Sequence, residues 1–332
     1  MEHLECLEKR LAVLTAIGAA GLAAVCGVSG FLMAEAMNRR EPKLSREVMQ
    51  TMQNNAVPPQ YAAGVYEAQE RLRNAPHETV TTEGYDHAKL VGHWFPCAEP
   101  KRIILAVHGW RSFWWRDFGP IADFWVQSGC SVLYIEQRAQ GESEGDFIGF
   151  GMLERYDCLD WLQWLNENGG KELPIYLAGL SMGATTVLMT SDQALPKNVC
   201  GIMADCGFTS PAAIWHKFKE ENLHLHNPAI DQLADRYCNR KTGMHPGSYS
   251  TVDALKNSRV PVLLIHGEAD RFVPVEMTME NYAACAAPKE LLIVPDAGHA
   301  MSYVTAREEY ESAVKKFWQA HDQAPAGRQS RY

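Results

Sequence analysis

Six short and almost unbroken apolar runs set the architecture of this chain: residues 103–107, 131–135, 175–178, 201–204, 262–265 and 291–294. A strand with one wet face alternates apolar and polar residues. A strand covered on both faces does not, and these runs do not alternate. Helical patterns separate them, near residues 121–127, 153–166, 182–191, 275–286 and 305–320. Strand–helix alternation of this kind predicts an α/β fold with a mostly parallel, doubly wound sheet. Two further stretches, 79–83 and 88–95, flank Gly84-Tyr85-Asp86 and read as a hairpin leading into the sheet. With 332 residues, 46% of them hydrophobic, the chain has ample material for a large core, which excludes a disordered or fibrous protein.

One connection breaks the rhythm. Some fifty residues, 208–259, separate two strands and carry two helical patterns, 211–222 and 228–237. An insertion of this size above the strand ends predicts a short helical lid over a site. Upstream, residues 11–34 form an apolar run without a charge, long enough as a helix to cross a ~30 Å hydrocarbon core. The expected organisation is a tail (1–10), a transmembrane anchor in the lipid bilayer (11–37), a linker or stalk (38–77), a catalytic domain (78–321) and a flexible tail (322–332). A cleaved signal peptide is the competing reading, since Lys9 and Arg10 precede the run and Ala34-Glu35-Ala36 follows it. The expected location is a single-pass position in the cell membrane. Basic residues flank both ends of the span, so the side carrying the domain stays open.

The net charge of −9 (31 Lys and Arg against 40 Asp and Glu) argues against a nucleic-acid partner. The nine cysteines are scattered without a C-x-x-C pair, so neither a zinc knuckle nor a dithiol motif is present. His216, His224 and His226 cluster in the expected lid. His224 and His226 are two apart and their side chains diverge on a helix, so no metal site is expected.

The sharpest chemical signal is Gly179-Leu180-Ser181-Met182-Gly183. It follows an apolar strand and opens a helical pattern, the setting in which a G-x-S-x-G serine becomes an exposed nucleophile at a helix N-terminus. A serine hydroxyl needs a base. Of the twelve histidines, His299 alone combines the right chain order with a loop after the last strand. An acid must orient that imidazole. Asp270, after the strand at 262–265, fits the order nucleophile–acid–base, with Asp205 and Glu268 as competitors. The expected oxyanion donors are the backbone N–H groups of Met182 and of Trp110, in His108-Gly109-Trp110-Arg111. Trp114 and Trp115 crowd the same loop and are candidate substrate-pocket residues, or else a plug beneath the lid.

These elements together resemble the α/β-hydrolase superfamily over about residues 79–320. Gln137-Arg138-Ala139-Gln140-Gly141-Glu142-Ser143 is similar to the superfamily's D-x-R-G-x-G-x-S turn, with departures at Gln137, Ala139 and Gln140. The sequence Asp205-Cys206-Gly207-Phe208-Thr209-Ser210-Pro211, together with the apolar amino-terminal run, resembles membrane-anchored hydrolases of Gram-positive bacteria on the serine aminopeptidase/esterase branch. The resemblance implies a hydrolase with that triad and no cofactor, and it names no substrate; the expected substrate is a small-molecule ester or acyl compound of modest size, since the lid is short. An aminopeptidase or amidase, with Glu220, Glu221 or Asp231 holding a free amine, an acyltransferase, and a non-catalytic membrane-bound binding protein are the alternatives. Oligomeric state is open.

Overall fold

The computed structural model describes residues 31–39, 57–222 and 228–322. Eight strands form one sheet: β1 (Glu78–Glu83), β2 (Lys89–Phe95), β3 (Arg102–Val107), β4 (Cys130–Glu136), β5 (Ile175–Leu180), β6 (Val199–Asp205), β7 (Val262–Gly267) and β8 (Lys289–Val294). Their order is β1-β2-β4-β3-β5-β6-β7-β8. The first two strands pair antiparallel and β2 joins β4 antiparallel; all other pairs are parallel.

The unbroken apolar runs have a direct explanation. In β3, Ile103, Leu105 and Val107 enter one core cluster with Leu133, Trp161 and Leu162. Ile104 and Ala106 enter the opposite cluster with Trp125, Tyr134 and Phe317. Successive residues face opposite layers of helices, so both registers of the strand are apolar. Helices α2 (Trp114–Gln127), α3 (Glu154–Leu165), α4 (Met182–Met189), α8 (Val275–Ala284) and α10 (Arg307–His321) supply those layers. The strand order reverses at β3, which lies between β4 and β5. Loops at the carboxyl ends of β3 and β5 therefore meet in the crevice where open α/β sheets place their ligands.

Between β6 and β7 lie α5 (Pro211–Lys217), α6 (Pro228–Thr242) and α7 (Thr251–Asn257). Ser210 and Ser250 accept hydrogen bonds from the amides of Ala213 and Asp253 and so start α5 and α7. The stretch 208–259, expected as lid, is not uniform. Ala254 and Leu255 of α7 are fully buried, and α7 packs on α4 and α8 as part of the main core.

The amino-terminal side brings further segments onto the domain. Helix α1 (Pro59–Asn74), in the stretch expected as a stalk, lies against α2. The contact is close: a Cβ on Gly119 would stand 2.6 Å from Cα of Gln69. Of the expected span 11–37, residues 11–30 lie outside the described residues. Residues 31–37 are helical, and Met33 and Met37 are buried beside Met152, Met189, Ala234 and Cys238. Met33 and Met37 are thus part of the protein interior, because the domain supplies them an apolar surface, while Phe31 is exposed. Among the described residues no helix is long and apolar enough to cross a membrane. At the other end Asp322, expected to begin the tail, is held by Arg102 at 2.7 Å and by the Tyr176 hydroxyl at 3.0 Å.

Candidate active site

Ser181 stands between β5 and α4 at φ 55°, ψ −116°, a conformation that a residue with a side chain rarely adopts. The turn is tight enough to demand glycine on both sides. A Cβ on Gly179 would meet the Gly183 carbonyl oxygen at 2.3 Å, and one on Gly183 would meet that of Val107 at 1.9 Å. The Ser181 amide donates to the Asp205 carbonyl (2.9 Å), and the Ser181 carbonyl accepts from the Thr185 amide (3.0 Å). The strained residue is therefore fixed from both ends.

His299, after β8, brings Nε2 to 2.9 Å from Ser181 Oγ and Nδ1 to 2.6 Å from Asp270 Oδ2. Asp270 Oδ1 accepts the amides of Phe272 and Val273 at 2.8 and 2.9 Å. Burial would raise this carboxyl; the charge of His299, the His266 ring and the Val273 amide outweigh it and hold it well below the usual carboxylate range. The other two acids weighed from the sequence stand apart. Asp205 Oδ1 accepts from Ser302 Oγ at 3.0 Å, and burial pushes its carboxyl up to about 6. Glu268 is exposed.

The loop after β3 lies against the serine: a Cβ on Gly109 would stand 3.4 Å from Ser181 Cβ. On either side of Trp110 the amides are occupied. Gly109 donates to Asp117 Oδ2 (2.6 Å) and Arg111 donates to Gln140 Oε1 (2.6 Å). Gln140 is one of the three departures in the turn at 137–143, and its carboxamide thus serves the loop beside Ser181. Gln137 does likewise, its carboxamide nitrogen donating to the His108 carbonyl. Met182 is fully buried at the start of α4. Both expected donors, Trp110 and Met182, are thus on segments that flank Ser181.

A cavity of about 750 Å³ opens beside these groups. Trp110 and Phe272 line it at this end, and the Phe272 ring lies edge-on to His299 at 5.0 Å. Trp114 and Trp115 do not line it. Trp114 is buried against His93, Phe95 and Tyr134, on the helix layer behind β3. Trp115 stacks on Phe113 and carries the Arg73 guanidinium. The start of α2 at Trp114 turns both rings away from the site, so the expectation that they form the substrate pocket is corrected.

Among the described residues one side-chain group has donors close enough to hold a metal ion: Cys206, Asp270 and His299. Burial, with Asp205 and Asp270 nearby, pushes the Cys206 thiol far up, so it is not a ready thiolate ligand. Both His299 nitrogens are engaged with Ser181 and Asp270. The donor set fits proton transfer better than metal binding.

Residues 122–324, more than half of the chain, match the prolyl oligopeptidase family. The chain belongs to that family. It is similar to the uncharacterised protein YqkD of Bacillus subtilis, 26% identical over 76% of this chain and 82% of YqkD. It is also similar to YfhR of Escherichia coli K12, 23% identical over 67% of this chain and 73% of YfhR. Among solved structures it resembles an esterase from Pyrococcus furiosus (TM-score 0.62, 22% identity, 74% of this chain and 92% of the esterase). The acylaminoacyl peptidase of Pyrococcus horikoshii is another (TM-score 0.58, 15% identity, 76% of this chain and 43% of the peptidase). These likenesses show the α/β-hydrolase fold and a serine-hydrolase type of enzyme within the prolyl oligopeptidase family.

Three features of the site escaped the sequence. His266, buried on β7, approaches the same Asp270 oxygen that faces His299. Phe272 covers the His299 ring. Leu32, Met33 and Glu35 to Met37 line the cavity, and Glu35 and Ala36 bond to the loop after β3. His266 had a readable signal, a histidine at a strand end four residues before the acid. The other two had none, because their roles depend on chain segments distant in sequence.

Proposed function

We propose that this chain cleaves carboxylic esters through Ser181, with His299 as base and Asp270 orienting it. The observation that carries the reading is the strained Ser181, its Oγ 2.9 Å from a histidine whose other nitrogen faces a buried carboxylate. In this reading Ser181 Oγ attacks the ester carbonyl carbon while its proton passes to His299 Nε2. The C=O electron pair moves onto oxygen, held by the amides of Met182 and Trp110. When the pair returns, the C–O bond to the alcohol breaks and His299 delivers its proton to the departing alkoxide. Water then attacks the acyl-serine by the same proton path and releases the acid. Asp270 stays ionised throughout and stabilises the imidazolium.

A peptidase reading draws on the family itself. An aminopeptidase needs a free carboxylate for the substrate amine, and two of the three candidate lid acids already have a side-chain partner. Asp231 lies 2.6 Å from the buried Lys219, and Glu220 lies 3.2 Å from His216. The side chain of Glu221 lies outside the described residues. The paired acids favour the ester.

The test is fluorophosphonate labelling of the full-length protein in detergent beside Ser181→Ala, with p-nitrophenyl esters and aminoacyl-p-nitroanilides assayed in parallel. Labelling and ester turnover that both vanish in the variant are the expected result. Anilide turnover exceeding ester turnover would move the reading to an aminopeptidase. For location, we propose that residues 11–30 hold the chain at a lipid bilayer. At ~1.5 Å per residue this run matches a ~30 Å core, and membrane flotation of the full-length protein beside one lacking residues 1–30 tests it.

A further inference from the structure

We infer that the cavity beside Ser181 is the acyl site of this enzyme and takes the hydrocarbon chain of a long-chain fatty acyl ester. This rests on the ester-hydrolase reading above and names its substrate class.

The cavity reaches Trp110, on the loop beside Ser181, and Phe272, whose ring lies 5.0 Å from that of His299, so an acyl chain held in it lies close to the reacting groups. Leu32, Met33 and Ala36 form one wall, and Ile214 and Trp215 of α5 face into the same space. Its volume of about 750 Å³ lies in the range that encloses whole organic ligands. An acetyl or butyryl group would leave most of it unfilled, forfeiting the contacts that an apolar lining offers.

The charged or ionisable side chains in its lining are few: Glu35, Asp231, Asp235 and His216. Asp231 is paired with Lys219, His216 faces Glu220, and Asp235 faces His245 at 2.7 Å. Most of the remaining lining is apolar, without a row of polar donors for a sugar. It suits methylene groups. The wall is also continuous in sequence with the apolar run at 11–30, so a chain held at a bilayer by that run would carry the cavity to where long-chain acyl esters reside.

The experiment uses the full-length protein in detergent and p-nitrophenyl esters from C2 to C16, with Ala212→Trp and Ala213→Trp as cavity-filling variants. Both positions line the cavity. Turnover per KM should rise with chain length by up to about fourfold per methylene, the fold-change that ~0.8 kcal/mol gives. Each variant should lose tenfold or more on the C12 ester while C4 turnover and labelling by a small fluorophosphonate stay within about twofold. If Ser181 labels but C2 and C4 esters are the best substrates and neither variant alters the profile, the acyl-site inference is overturned and the hydrolase stands. If wild-type protein does not label, the hydrolase reading itself fails. Retention of radiolabelled palmitate by Ser181→Ala on gel filtration gives a readout without catalysis: binding that Ala212→Trp abolishes supports the site, and no binding overturns it.

Discussion

Nε2 of His266 lies 3.2 Å from Oδ2 of Asp270, the same oxygen that faces His299. His266 is itself fixed, Nε2–H donating to the Val273 carbonyl at 2.9 Å and Nδ1 facing Thr278 Oγ1 at 2.7 Å. The carboxylate is thus gripped between two imidazoles and two backbone amides. Burial would lower the His266 pKa, but the Asp270 carboxylate outweighs burial and raises it. We treat His266 as a positioning residue. His266→Ala should lower kcat by roughly ten- to hundredfold, the scale of a misplaced catalytic group, with KM little changed. His266→Gln should recover part of it. The sign of the stability effect follows from the raised pKa. The stabilisation is full below the unfolded value of about 6.5 and is lost as pH rises through the folded value. The Tm gap between wild type and His266→Gln should therefore narrow from pH 6 to pH 9; a gap that widens would show that His266 does not act through its charge.

Asp270 and Asp205 separate cleanly by substitution. Asp270→Asn should lower kcat by about 10⁴, since the amide favours the wrong imidazole tautomer. Asp205→Asn should keep ester turnover within about fivefold, because its side chain serves Ser302 and not His299. With its carboxyl pushed up to about 6, Asp205 contributes stability that is full below the unfolded value of about 3.9 and is lost as pH rises through 6. Thermal melts from pH 4 to pH 7 should show that decline in wild type and a weaker one in Asp205→Asn. A collapse of turnover in Asp205→Asn would reassign the acid.

Gly183 tests the turn that presents Ser181. A Cβ there would overlap the Val107 carbonyl, which belongs to the strand on which α4 rests. Neither backbone can yield without displacing β3 or the helix. Gly183→Ala should destabilise by about 4 kcal/mol or more, the scale reserved for backbone clash in a core. Gly169, with nothing within 4 Å of its Cβ position, is at φ 94° and should cost far less when replaced by Asn. Urea unfolding of both variants checks the contrast.

Much of this was legible because burial on both faces leaves its mark on every residue of a strand, as in Ile103–Val107. Ser181 was legible because only glycine fits at 179 and 183. His299 and Asp270 followed from chain order, which the β7 and β8 crossovers impose. The pocket was not legible. Trp110, Trp114 and Trp115 are alike in type and adjacent in sequence, yet the start of α2 sends the latter two to other surroundings. Residues 31–37 were read as lipid-facing because hydropathy measures avoidance of water and does not distinguish a bilayer from a protein cavity. Met33 and Met37 took the cavity.

That same segment holds the loop beside Ser181. The Trp110 indole donates to the Ala36 carbonyl at 2.9 Å, and the Arg111 guanidinium donates to the carbonyls of Glu35 and Asn38 at 2.8 and 2.6 Å. Arg111 itself sits at φ 49°, so the loop needs these bonds to keep its shape. Arg39 extends the clasp to the 137–143 turn through the Ser143 carbonyl at 2.5 Å. Loss of one oxyanion donor costs 10²–10³ in kcat, and a loosened donor should cost less. Arg111→Ala is therefore expected to lower kcat on a C4 ester by about tenfold with KM nearly unchanged, since the short ester makes little use of the cavity. Removing residues 1–39 should lower kcat at least as much and also flatten the chain-length profile, while removing residues 1–30 should do neither. An Arg111→Ala enzyme with unaltered kcat, or a 1–39 deletion that turns over C4 ester like wild type, would show that the amino-terminal segment does not position the loop.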